Sequence, residues 1–146
     1  MSIHDIPTHA EELFCFGVYT ASHAINRAYS GYLKQLGLTY PQYITLTLLW
    51  ERDSQKISEL AQQLGMETST LTPLVQRLEA MGNVTRKRNQ TDGRAVDVVL
   101  TEAGRALRDR APTITACMIG QTGLDHDELQ TLQTLLLRLR DGLRGG

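Results

Sequence analysis

The feature that most constrains this chain is a change of hydrophobic period near residue 82. Upstream, two short runs repeat at helical spacing: Ile57, Leu60, Ala61 and Leu64, closed by Gly65, then Leu71, Leu74, Val75 and Leu78, closed by Met81-Gly82. Downstream, Val84-Thr85-Arg86-Lys87-Arg88 and Ala95-Val96-Asp97-Val98-Val99-Leu100 read as strands. The segment between them, Asn89-Gln90-Thr91-Asp92-Gly93-Arg94, carries an Asp-Gly turn signal. Two short helices followed by a hairpin leave few folds open. Proline is tolerated in the first turn of a helix, so Pro73 places the start of the second short helix just before it, with Ser69 or Thr70 as the N-cap.

Longer helices flank this unit. The first is expected from Thr8, which stands in capping-box spacing with Glu11. Its apolar stripe at 10, 13, 14, 17, 18, 21, 24, 25 and 28 runs through about Leu33. Leu36-Gly37-Leu38-Thr39-Tyr40 reads as a turn, and Pro41 suits the first position of a second helix. That helix carries Ile44, Leu46, Leu48, Leu49 and Trp50 and is nearly apolar all round, the pattern of a buried strut. Asp53-Ser54-Gln55-Lys56 reads as a polar connection. After the hairpin, Thr101-Glu102 caps a helix through about Cys117, which Gly120 and Gly123 break. Asp125 can open a last helix with Leu129, Leu132, Leu135, Leu136, Leu139 and Leu143 on one face. The expected class is α+β, mainly α, in a single domain spanning 1–146.

Bulk charge gives no sign of a polyanionic partner, since 15 basic residues stand against 16 acidic ones and the net charge is −1. No run approaches the roughly 18 apolar residues of a membrane span. The N-terminus has neither a basic start nor an apolar signal core, so a cytoplasmic chain with no membrane role is expected. The two cysteines, Cys15 and Cys117, lie 102 positions apart, which fits neither a disulfide framework nor a zinc site. His4, His9, His23 and His126 have no ligand spacing, so no metal and no cofactor is expected. On periodicity alone each cysteine is a small buried apolar side chain.

The charge that matters is local. From Val75 to Ala95 there are five basic residues, Arg77, Arg86, Lys87, Arg88 and Arg94, against Glu79 and Asp92. Opposite its leucines the second short helix displays Ser69, Thr70, Thr72, Gln76 and Arg77, groups able to bond phosphates and base edges in a major groove. An arginine near the hairpin tip suits the focused negative potential of a narrow minor groove. Arg94 is that candidate, with Asp92 placed to orient its guanidinium. Each residue alone is ordinary solvated surface. The ordered set is that of a winged helix-turn-helix reading double-stranded DNA with residues 57–100.

Ile57-Ser58-Glu59-Leu60-Ala61, Leu71-Thr72-Pro73-Leu74-Val75-Gln76-Arg77-Leu78-Glu79 and Asp92-Gly93-Arg94-Ala95-Val96-Asp97-Val98-Val99-Leu100-Thr101 resemble the MarR family of bacterial regulators. The resemblance implies a homodimer on a pseudo-palindromic operator, with 8–33 and 102–143 as dimerisation helices, and no enzymatic activity. Leu13-Phe14-Cys15-Phe16-Gly17-Val18-Tyr19, Tyr29 and Leu38-Thr39-Tyr40-Pro41-Gln42-Tyr43 resemble the OhrR subgroup, regulators of organic hydroperoxide resistance. That likeness implies that Cys15 is the peroxide-reactive thiol and that Tyr29 and Tyr40, with Tyr19 nearby, hydrogen-bond it across the dimer. It also implies that Cys117 is a resolving thiol; otherwise Cys117 is structural and a small thiol caps Cys15. Cys15 and Tyr29 are 14 positions apart on one helix, about 21 Å, so they cannot touch within one chain. A start at Thr8 puts Cys15 two turns in, beyond the reach of the helix dipole. Two other readings stay open: a MarR-type repressor released by a small phenolic ligand in the dimer-domain cleft, and a thiol peroxidase. The second lacks an arginine near Cys15 before Arg27.

Overall fold

The computed structural model describes residues 1–145. They fall into two compact units, Met1–Ala111 and the chain from Pro112 onward. In the first unit, short 3-10 turns at Ile3–Asp5 and Ala10–Glu12 precede α1 (Phe14–Leu33). There follow α2 (Tyr40–Glu51), β1 (Gln55–Lys56), α3 (Ile57–Leu64), α4 (Thr68–Ala80), β2 (Val84–Arg88), β3 (Val96–Leu100) and α5 (Glu102–Ala106). A 3-10 turn at Leu107–Arg110 leads into α6 (Ala111–Thr122), and α7 (His126–Arg144) ends the described chain.

The core of the first unit forms where the leucine periods predict it. Leu33, Leu46, Leu49, Leu60, Leu71, Val75, Leu78 and Val98 are fully buried and Val84 nearly so. The hairpin is present, and a third strand that the sequence reading took for a polar connection joins it. The sheet order is β1-β3-β2, all antiparallel, with Gln55 opposite Val98, Lys56 opposite Asp97, and Val84 opposite Leu100. A two-residue strand shows no alternation, so pattern could not reveal it. It is held by tertiary contacts. Buried Gln55 donates through Nε2 to the carbonyls of Leu48 and Arg52, and its Oε1 accepts from Gln63 at 2.7 Å. A buried amide is tolerated because its hydrogen-bonding capacity is met.

Several helix boundaries differ from expectation. α1 starts at Phe14, not Thr8, with extended Leu13 as its N-cap and no side-chain cap. A capping box adds only about 1 kcal/mol. Residues 1–12 are all exposed, so they have no packed face to sustain a helix. Pro41 is the second rather than the first residue of α2, because Thr39 closes a capping box with Gln42. α4 starts at Thr68 with Glu67 as N-cap, so Ser69 and Thr70 are helical and Pro73 lies inside the helix. Both Ser69 and Pro73 are exposed. The ring therefore faces solvent, and water can satisfy the Ser69 carbonyl that loses its donor.

Thr101 caps α5 as expected, its hydroxyl accepting from the Gly104 N–H at 3.0 Å. The segment after it is broken at Leu107–Arg110 rather than continuous. Gly120 lies within α6, and the stop comes at Gly123, whose φ of 70° is open to glycine at no steric cost. In the second unit Asp125 and Glu128 form the capping box of α7.

Candidate nucleic-acid interface and reactive thiol

With Leu71, Leu74, Val75 and Leu78 turned inward, α4 exposes Thr68, Ser69, Thr70, Gln76 and Arg77, and half-buries Thr72. The Thr72 hydroxyl donates to the Thr68 carbonyl at 2.9 Å, so its oxygen is left as an acceptor. Between the starts of α3 and α4 and the β2–β3 wing runs an open groove of about 370 Å³, lined by Ser58, Thr68, Thr72, Arg86, Asp92 and Arg94 among others. The hydroxyls and arginine side chains set along it suit a phosphate backbone.

The wing cations are not equivalent. Arg86 is tied to α4: its backbone N–H donates to Glu79 at 2.8 Å and its Nε to the same carboxylate at 3.0 Å. These bonds, the backbone one foremost, hold the Glu79 carboxyl below the usual range. Arg86 therefore positions the wing on α4 rather than standing free. Lys87, Arg88 and Arg94 are exposed and form no ion pair among the described residues. Asp92 does not orient the Arg94 guanidinium as expected. It accepts from the Arg94 backbone N–H at 3.1 Å, shaping the loop instead.

Sequence reasoning missed Asn89. Its Oδ1 accepts from the N–H groups of Thr91 and Asp92, and its Nδ2 donates to Asp97. The signal was an asparagine two residues ahead of a turn, the pattern of an Asx-turn. It also missed Asp53, whose carboxylate accepts from the N–H of Leu100 at 2.9 Å and from Arg105 at 3.0 Å, fixing the far end of the wing.

Cys15 is exposed and is the second residue of α1. It lies in the first turn, where backbone N–H groups lack intrahelical partners and the dipole acts. The expectation that it lies two turns in is thereby overturned. Tyr29 and Tyr40 come together, their rings 4.5 Å apart, and Tyr43 continues the stack at 5.8 Å from Tyr29. Tyr43 in turn meets Trp50 edge-on at 5.8 Å. Burial raises the pKa of Tyr29. For Tyr40, burial and then the neighbouring Tyr29 and Tyr43 do the same, so both phenols stay protonated and can donate. Tyr19 is apart from this cluster, packed edge-on against His23 at 4.6 Å. Cys15 does not meet Tyr29 within the chain. Cys117 is exposed on α6.

The fold and this surface define a winged-helix DNA-binding regulator. A family model described as transcriptional regulator SarA/Rot matches residues 27–111. The HTH-type transcriptional regulator TtmR of Methylorubrum extorquens is 40% identical over 95% of this chain and 71% of its own length. The organic hydroperoxide resistance transcriptional regulator of Bacillus subtilis is 35% identical over 91% of this chain and 90% of its own. Reduced AbfR bound to DNA superposes with a TM-score of 0.76 at 30% identity, over 90% of each chain. AbfR, from Staphylococcus epidermidis, is also known in a disulfide-formed state, with 31% identity and a TM-score of 0.60 over 90% of this chain and 88% of that one. The chain belongs to the MarR-type, SarA/Rot family of winged-helix transcriptional regulators, and its likeness to the Bacillus protein supports the OhrR subgroup. It is a DNA-binding transcriptional regulator, and its relatives are regulators rather than enzymes. Among the described residues no helix is long and apolar enough to cross a membrane.

Proposed function

We propose that the chain is a repressor that holds its operator as a homodimer while Cys15 is reduced, and releases it when an organic hydroperoxide oxidises that thiol. The observation that carries the reading is the position of Cys15. It is exposed in the first turn of α1, beside an apolar surface of Phe14, Val18 and Ile25 that the chain leaves uncovered. An exposed apolar stripe of this extent marks an interface. The Leu132, Leu135 and Leu136 face of α7 is uncovered as well, which supports dimerisation through these helices. Two α1 helices crossing antiparallel bring Cys15 of one protomer toward the protonated Tyr29–Tyr40 pair of its partner, and phenol donors stabilise a thiolate.

The chemistry is that of a thiolate attacking the terminal peroxide oxygen. The O–O bond breaks, the alkoxide leaves and takes a proton from water to become the alcohol, and Cys15 becomes a sulfenic acid; the Cys117 thiol can then condense with it, forming a disulfide and water. Ser69, Thr70, Thr72, Gln76 and Arg77 would face the major groove. Lys87, Arg88 and Arg94 would meet backbone and minor groove, with Arg86 and Asp92 shaping the wing. That α1 and α7 serve for dimerisation and 57–100 for DNA reading is part of the same proposal. AbfR solved both reduced on DNA and in a disulfide-formed state supports a redox input to this fold. The test is binding to a duplex selected by the wild-type protein, before and after cumene hydroperoxide, with Cys15→Ser alongside. Release by the wild type and none by the variant is expected; binding by the wild type that peroxide leaves unchanged would overturn it.

A further inference from the structure

One amide organises the wing. Asn89 Nδ2 donates to both carboxylate oxygens of Asp97, at 2.9 and 3.1 Å. Its Oδ1 accepts three donors: the Thr91 N–H at 3.0 Å, the Thr91 hydroxyl at 2.8 Å and the Asp92 N–H at 2.8 Å. The Asn89 backbone N–H closes the loop on the Ala95 carbonyl at 3.0 Å. Strand register sets Asp97 opposite Lys87 on β2 and opposite Lys56 on β1, the arrangement in which a carboxylate ordinarily pairs with a lysine. Neither lysine forms an ion pair with Asp97 among the described residues.

We propose that Asn89 is a positioning residue for DNA binding. By occupying Asp97 it leaves Lys87 free for the DNA backbone, and by holding the 91–94 loop in one conformation it positions Arg94. The inference rests on reading the wing as a DNA contact. An asparagine suits the task because its short carboxamide offers donors to the carboxylate and an acceptor to the loop from one side chain. An aspartate at 89 keeps the acceptor but sets two carboxylates against each other, and exchanging the residues at 89 and 97 restores one amide-to-carboxylate bond and the loop's acceptor while conserving charge.

The test measures affinity for the selected duplex by fluorescence anisotropy for wild type, Asn89→Asp, Asp97→Asn, the double exchange and Arg94→Ala, with thermal melts of each. Asn89→Asp is expected to bind about tenfold more weakly, the size of one misplaced contact. Asp97→Asn alone also weakens binding, and the double exchange returns to within about twofold of wild type. A purely electrostatic role makes the two changes additive, so that Asp97→Asn alone binds more tightly than wild type; that result overturns the proposal. So does a double exchange no better than Asn89→Asp. Loss of affinity in Arg94→Ala with both single variants at 89 and 97 unchanged overturns the role of Asn89 and leaves the wing contact standing. If Arg94→Ala and those two variants all bind as wild type, the reading of the wing falls with it.

Discussion

Trp50 reaches Gly104 across 54 positions, its Nε1 donating to the glycine carbonyl at 2.9 Å. This bond joins α2, whose start carries Tyr40 and Tyr43, to the turn of chain that follows the wing. Gly104 is fixed there by the approach of another backbone: a Cβ on it would stand 2.0 Å from the Asn83 carbonyl oxygen. That same carbonyl accepts from the Thr101 N–H at 3.0 Å and cannot easily move. Gly104→Ala should therefore lower stability by about 3 kcal/mol, the upper range for overpacking a close contact. Trp50→Phe keeps an aromatic ring but loses the donor and part of the indole, for about 1–3 kcal/mol. Urea midpoints check both, and an alanine variant as stable as wild type would refute the close approach.

Asp53 gives a pH signature. Partial burial pushes its carboxyl up, but the N–H groups of Leu100 and Ser54 and the Arg105 guanidinium outweigh this and hold it below the usual carboxylate range. A depressed carboxylate contributes stability that is full above its unfolded value, about 3.9, and is lost as pH falls through the lower folded value. Asp53→Asn should cost about 1–3 kcal/mol at pH 7, and its deficit should narrow as the wild type is acidified below pH 4. Urea titrations at the two pH values measure it; a deficit that stays constant counts against the carboxylate as the cause.

The two wing arginines should separate. Arg94 forms no ion pair among the described residues, so Arg94→Ala should reduce DNA affinity by about tenfold and shallow the salt dependence by about one unit, leaving the melting temperature unchanged. Arg86 is bound to Glu79. Arg86→Ala should lower the melting temperature as well as the affinity. Identical profiles for the two variants would contradict this division.

Oxidation gives a fourth check. Non-reducing electrophoresis after peroxide should show a covalent dimer in the wild type that both Cys15→Ser and Cys117→Ser lose. A wild type that stays monomeric on the gel removes Cys117 as a resolving thiol and points to a small thiol in its place.

The helix–helix–hairpin order and the inward leucines were legible because burial repeats at a fixed period. Thr101 and Asp125 were legible as helix starts because a cap is a local bond between residues three apart, whereas Thr39 was read as part of a turn. The outward face of α4 followed directly from its inward one.

What the sequence could not supply were choices made between distant residues. Pattern has no period for the two-residue β1, for Asp53 on Leu100, or for Trp50 on Gly104. The pairing of Asp97 with Asn89 rather than an opposing lysine was decided by the geometry of the hairpin, and that of Arg86 with Glu79 by the packing of the wing on α4. The start of α1 at Phe14 was decided the same way, since a capping motif without a packed face does not hold a helix. The sequence determined which elements form and which sides face inward, because those follow from local hydrogen bonds and burial. Only the tertiary structure decided which charges are spent inside the protein and which remain for DNA, because electrostatic pairing depends on distances that the fold alone sets.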